Sequence, residues 1–166
     1  MHTTEKSALI AVLLVALIIR RQLRTRPVRR NGSLVLPIAL GGLGALAIAF
    51  AAASAAEDDH PLTPLPIALL AASLAVAAGF GAIRARTVRV WRDPEAGVLR
   101  KGTPATTALW LASATAHFAL ALWIDHATDT TALGTASLYA YIAIGLGTQN
   151  LLVRGRATTF SEPAAA

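Results

Sequence analysis

Basic clusters and long uncharged stretches alternate along this chain, and that alternation confines it to one broad class of fold. Of its fifteen Lys and Arg residues, six lie between Arg20 and Arg30 and six between Arg84 and Lys101. Arg154 and Arg156 form a third cluster, and Lys6 stands alone. The connections in between carry acid instead: Glu57, Asp58 and Asp59 in one, Asp125 and Asp129 in the other. Lys and Arg are retained on the cytoplasmic side during insertion, so basic and non-basic connections that alternate in this way mark a multi-pass membrane protein.

A hydrocarbon core about 30 Å thick needs roughly 20 apolar residues in helical form. Four stretches meet that need without an internal charge: about 37–56, 64–83, 104–124 and 131–153. Thr63-Pro64 and Thr103-Pro104 supply a capping hydroxyl followed by proline, which is tolerated where a first-turn N–H has no partner; Pro37 begins a span in the same way. A first span at about 3–23 is weaker, because only Ser7 to Ile19 separates Lys6 from Arg20. It crosses if Glu5 and the arginines snorkel to the two interfaces, and otherwise lies along the membrane surface. Its n-region is nearly neutral and the basic cluster follows the apolar run, which is unlike a cleaved signal peptide.

The expected fold is therefore all-α: a polytopic transmembrane bundle of five spans, or four if the first lies at the interface. It forms one domain over 1–156, followed by a disordered tail at 157–166, with the N-terminus outside and the C-terminus cytoplasmic. Gly41, Ala45, Ala49 and Ala53 recur every four residues, as do Ala71, Ala75 and Gly79. Small residues so spaced let helices approach closely in lipid. Trp123 falls at the outer end of the fourth span, where an interfacial tryptophan is expected.

Composition agrees with this class. Apolar residues make up 55% and charged residues 14%, against about 25% charged in soluble domains. A net charge of +6 would raise nucleic-acid binding in a soluble protein, but here the cations flank segments that no solvated surface carries, and no nucleic-acid partner is expected. Anionic lipid head groups at the inner face are the natural partners of those arginines. The chain has no cysteine, which excludes disulfides, thiolate metal sites and thiol-redox catalysis.

The connection Arg84 to Thr103 predicts structure of its own. Thr87-Val88-Arg89-Val90-Trp91-Arg92 alternates as a half-buried strand does, and Asp93-Pro94-Glu95-Ala96-Gly97 has turn chemistry before Val98-Leu99-Arg100-Lys101 returns. This reads as a cytoplasmic β-hairpin between spans three and four, one that needs the bilayer or the bundle to hold it. Arg84-x-Arg86-Thr87-x-x-Val90-Trp91, then Gly97-Val98, Lys101-Gly102-Thr103 and Thr106-Thr107-Ala108-Leu109-Trp110, together with the weaker Arg20-Arg21-Gln22-x-Arg24, resemble the CcdC-like family of small bacterial integral membrane proteins. That resemblance implies a protein of the bacterial inner membrane. The family is associated by name with cytochrome c maturation, and no reaction is established for it; a thiol role is out of reach of a chain without cysteine.

Three groups of residues are candidates for function. Arg84, Arg86, Arg89, Trp91, Arg92, Arg100 and Lys101 form a basic docking surface for a lipid or a membrane-protein partner. His117 is the ionisable residue well inside a span; it either lines a polar path in a small permease or channel, or is a neutral hydrogen-bonded residue near Ser113, Thr115, Tyr139 or Tyr141. Asp58, Asp59 and His60, with Asp125, His126 and Asp129, share the outer side and have the chemistry of a divalent metal site, although no ligand spacing enforces one. No nucleophile elbow, phosphate loop or paired intramembrane carboxylates are present, so no catalytic residue and no cofactor are expected. The leading expectation is a non-enzymatic membrane protein that acts through partners at its basic loop.

Overall fold

Prolines set where the helices begin. Helix α1 (Val35–Glu57) carries Pro37 in its first turn, α2 (Pro64–Thr87) starts on Pro64, and α3 (Pro104–Thr128) starts on Pro104. First-turn N–H groups have no intrahelical acceptor, so proline is tolerated there. A computed structural model describes residues 23–28, 34–57, 64–128 and 133–160. The expected first span at 3–23 therefore lies almost wholly outside the described residues.

Among the described residues, three helices are long and apolar enough to cross a membrane: Val35–Glu57, Pro64–Thr87 and Pro104–His126. The expectation of five spans is not supported. The fifth expected span, 131–153, is interrupted. A short helix α4 (Leu133–Ala136) ends at Ser137, whose hydroxyl donates to Gly134 O at 2.6 Å, and α5 (Leu138–Thr158) begins after it. Helix α5 holds Gln149, Asn150, Arg154 and Arg156, which lower its hydropathy. It also runs past the expected domain end at 156, and Ala157 is buried.

Helix α5 forms the middle of the bundle. Gly44 of α1 meets the backbone of Ala140, and Pro37 packs on Gly147, so the two helices run antiparallel. Gly81 of α2 lies against Gly145, and Val153 packs on Ala85 and Val88, so α5 and α2 run parallel. Tyr141 reaches Ser113 of α3. Missing side chains make the approach possible, since a methyl group at Gly81 would stand 2.6 Å from Gly145 O.

The stripes that make these contacts are not those expected. Ala45, Ala49, Ala53, Ala71, Ala75 and Gly79 are all exposed. The inward faces are instead Pro37, Gly44 and Ala51 on α1, and Pro66, Ser73, Ala77, Gly81 and Arg84 on α2. Both helices are apolar around their whole circumference, so hydrophobic periodicity carries no phase.

Polarity is inverted relative to a soluble protein. Among the described residues, six of the eight largest fully buried side chains are polar: Arg84, His117, Thr106, Ser73, Ser113 and Ser137. Meanwhile Ile38, Leu46, Phe50, Phe118 and Leu122 are each at least 60% exposed. Water would penalise that surface by about 25 cal/mol per Å² of apolar area, whereas lipid does not. The apolar surface and the length of the helices identify a membrane-embedded protein.

At one end of the bundle sits a three-stranded antiparallel sheet in the order β1-β3-β2, made of β1 (Arg26–Pro27), β2 (Arg89–Asp93) and β3 (Gly97–Lys101). The expected hairpin is present, with Asp93 opposite Gly97, and Gly97 has φ +75°. Asp93 Oδ1 accepts from the Glu95 and Ala96 amides at 3.1 and 2.8 Å, which fixes the turn. Strand β1 is an addition that the sequence did not suggest. It pairs with β3, Arg26 opposite Arg100, and Val28 N donates to Val98 O at 2.9 Å.

Candidate functional site

The corner between α2, the sheet and α3 is locked by three threonines. Thr87 Oγ1 donates to Arg84 O at 2.9 Å, and Thr103 Oγ1 donates to Thr87 O at 3.1 Å. Since each hydroxyl has one proton, the 2.8 Å contact between Thr87 and Thr106 has Thr106 donating. Thr103 also caps α3, accepting from the Thr106 amide at 3.3 Å while Thr106 Oγ1 accepts from the Thr103 amide at 3.1 Å. This reciprocal arrangement is a capping box with threonine in place of the usual glutamate. The expected Thr103-Pro104 helix start is observed.

Around this corner the basic residues divide by strand periodicity. Arg89, Trp91 and Lys101 point to one face of the sheet. Val90 points to the other and packs on Ala85, Val88 and Val153. Arg100 shares that inner side and donates from Nη1 to Asn150 Oδ1 at 3.0 Å, tying β3 to α5. Burial, and next the neighbouring Arg26, push the Arg100 guanidinium below the ordinary arginine pKa. Arg156 donates from Nη1 to Ala85 O and Val88 O at 2.6 and 3.0 Å. It places a cation on the C-terminal end of α2, where the helix dipole favours one. The bundle therefore holds the hairpin.

At this corner lies an open groove of about 790 Å³, which Val88 and Val90 also line. Its lining includes Arg86, Arg89, Lys101 and Arg156, with Trp91, Thr25, Thr87 and Thr103, and contains no carboxylate. All four cationic side chains are exposed. Arg89 and Lys101 are register partners, so like charges stand directly opposite one another.

Beneath the groove a polar seam runs into the bundle along one stripe of α3: Thr106, Trp110, Ser113 and His117. Arg84 is 1% exposed, and its guanidinium lies 3.8 Å above the Trp110 ring in a cation–π stack. Gly145 makes room for it, since a methyl group there would meet Arg84 Nη2 at 2.6 Å. Tyr141 Oη donates to Ser113 O at 3.0 Å and, its proton being used, accepts from Ser113 Oγ at 3.1 Å. His117 follows, 2% exposed, its ring 4.5 Å from that of Tyr141. Among the described residues, no hydrogen-bond partner meets Arg84 Nε and Nη1, Trp110 Nε1, His117 Nδ1 or Gln149 Oε1.

Of the expected docking residues, Arg86, Arg89, Trp91 and Lys101 come together on the groove. Arg92 is exposed on the face of β2 opposite Arg89 and Trp91 and does not line it, and Arg100 is turned to the bundle. Arg84 does not belong to that surface at all, because its position on the inner stripe of α2 buries it. His117 is internal as expected, and of its suggested neighbours Ser113 and Tyr141 face the seam whereas Thr115 and Tyr139 are exposed. Among the metal candidates, Asp58, Asp59, His60 and Asp129 lie outside the described residues. Asp125 Oδ1 accepts from the Gly134 amide at 2.9 Å, which closes the α3–α4 connection, and His126 is exposed. No group of metal-ligating side chains occurs among the described residues. The sequence reading missed the Arg84–Trp110 stack and Arg156; one available signal was the spacing of Thr106, Trp110, Ser113 and His117 at four, three and four residues.

Compared with known protein families, characterised proteins and solved structures, the chain matches none.

Proposed function

We propose that this is a non-enzymatic, multi-pass plasma-membrane protein that acts by docking an anionic partner on its basic inner face. The observation that carries the reading is the groove: four exposed cations and a tryptophan gathered from α2, the sheet and α5, with no acid in the lining. The basic segments 26–28, 84–101 and 154–156 meet at the sheet end of the bundle, while Glu57 and Asp125 lie toward the other, as positive-inside insertion requires. On this reading the sheet end is cytoplasmic and the C-terminus lies inside; a further crossing by residues 3–23 then puts the N-terminus outside. Helix α5 crosses as well, its polar residues screened from lipid by the helices around it; its 21 residues span about 31 Å. The sequence resemblance to the CcdC-like group, carried by motifs that include Arg84, Arg86, Thr87, Trp91, Lys101, Thr103, Thr106 and Trp110, is what supports an inner-membrane location.

A photo-crosslinking residue at Thr25, exposed in the groove lining, tests the docking role in native membranes. A discrete adduct that disappears when Arg86, Arg89 and Lys101 are changed to Gln is the expected result. An adduct pattern indifferent to those changes removes the groove from the function.

A second reading, a small permease or channel, draws on the unpartnered polar atoms along the seam to His117. It requires that His117→Gln abolish proton flux in proteoliposomes, whereas docking leaves no flux to abolish.

A further inference from the structure

We infer that the groove is a seat for the phosphate head of an anionic phospholipid of the inner leaflet; this rests on the docking reading and names its ligand. Arg86, Arg89, Lys101 and Arg156 line the groove without a carboxylate, so no acid in the lining compensates its field. Arg89 and Lys101 stand as direct cross-strand partners, an arrangement that is repulsive until an anion comes between them. Lysine and arginine are both donors without acceptors, and Thr25 adds a hydroxyl, those of Thr87 and Thr103 being already donated within the corner. This is a donor set suited to phosphate oxygens, with the guanidinium forks giving paired hydrogen bonds.

Position selects a lipid over a soluble phosphate. The groove lies where α2 ends and α3 begins, at the level where membrane-crossing helices leave the hydrocarbon. Ile83, one turn before Thr87, is 48% exposed, so the apolar surface of α2 continues up to the groove and offers a track for acyl chains. Trp91 in the lining is of the residue type that settles among head groups. The volume, about 790 Å³, falls in the range of roughly 300–1,000 Å³ typical of small-ligand sites. Basic pockets between helices on the cytoplasmic side bind such head groups.

The full chain, delipidated in detergent, should be titrated with phosphatidylglycerol and with phosphatidylcholine of identical acyl chains, bound lipid being counted by native mass spectrometry. Phosphatidylglycerol should bind at least tenfold more tightly. Arg86→Gln, Arg89→Gln and Lys101→Gln together should weaken it by roughly a hundredfold, and Lys101→Gln alone by about fivefold, at about one cation's share each. Arg92→Gln, outside the groove, should leave binding within about twofold. The single Lys101 change keeps the test intact should the triple variant unfold. Equal binding of the two lipids, or a Lys101→Gln variant that binds phosphatidylglycerol like the wild type, overturns the inference. So does displacement of the lipid by inorganic phosphate or glycerol 3-phosphate at equal concentration, which would make the ligand a soluble phosphate. An acidic peptide that binds wild type and not the variants, where phosphatidylglycerol shows no preference, defeats the lipid and leaves docking standing. If neither peptide nor lipid distinguishes wild type from variants, both fail.

Discussion

Arg84 carries the least expected chemistry of any single residue, a guanidinium inside a membrane bundle with an indole face for company. An isolated buried cation is unfavourable, and apolar side chains of similar volume commonly match or improve on buried charge. Arg84→Met should therefore unfold in detergent at the wild-type temperature or higher. Arg84→Ala leaves a cavity beside Trp110 and should lose about 2–4 kcal/mol. If Met proves as damaging as Ala, the stack with Trp110 is itself holding α2 to α3. Glycines give a second comparison. A methyl at Gly44 meets the backbone of Ala140, while one at Gly42 meets nothing within 4 Å. Gly44→Ala should lose about 1–3 kcal/mol in thermal unfolding, and Gly42→Ala should gain up to about 1 kcal/mol from helix propensity. The left-handed Gly97 and the Thr103 cap were legible in the sequence because turn and cap chemistry is local. Arg84, Gly44 and Gly81 were not, because a helix that is apolar all round does not declare which side faces its neighbours.

Individual elements depend on a few charged contacts. Arg156 caps the last carbonyls of α2 with a charged donor, so Arg156→Ala should destabilise the corner by about 1–2 kcal/mol. Faster amide exchange at Val88 and in β2, with α1 unaffected, is the expected signature. Arg26 faces Arg100 across β1 and β3, and like charges directly opposite are unfavourable by a few tenths of a kcal/mol to about 1 kcal/mol. Arg26→Glu should reverse that and slow exchange at the Val28 amide. Alternation and turn residues made the hairpin readable. Strand β1 is two residues long and includes Pro27, so no sequence pattern of useful length exists for it. The break at Ser137 escaped notice because an uncharged run from 131 to 153 reads as continuous when its polar residues are neutral.

Two features characterise the molecule as a whole: apolar side chains outside with polar ones inside, and all described basic clusters at one end. The first was implied by composition and the second by charge alternation, so the class of protein was legible. The burial of α5 was not, since it follows from close packing at Gly44 and Gly81 that no local pattern announces. Together they support the proposal that the bundle crosses the membrane with its sheet end in the cytoplasm. The chain has no cysteine, so single substitutions read out topology without background. Glu57→Cys and His126→Cys, both exposed at the far end, should react with an impermeant thiol reagent in sealed cells. Ala96→Cys, exposed at the hairpin turn, should react only after the membrane is opened. Labelling of Ala96→Cys in sealed cells would contradict the orientation, and equal labelling at all three positions would contradict the crossing itself.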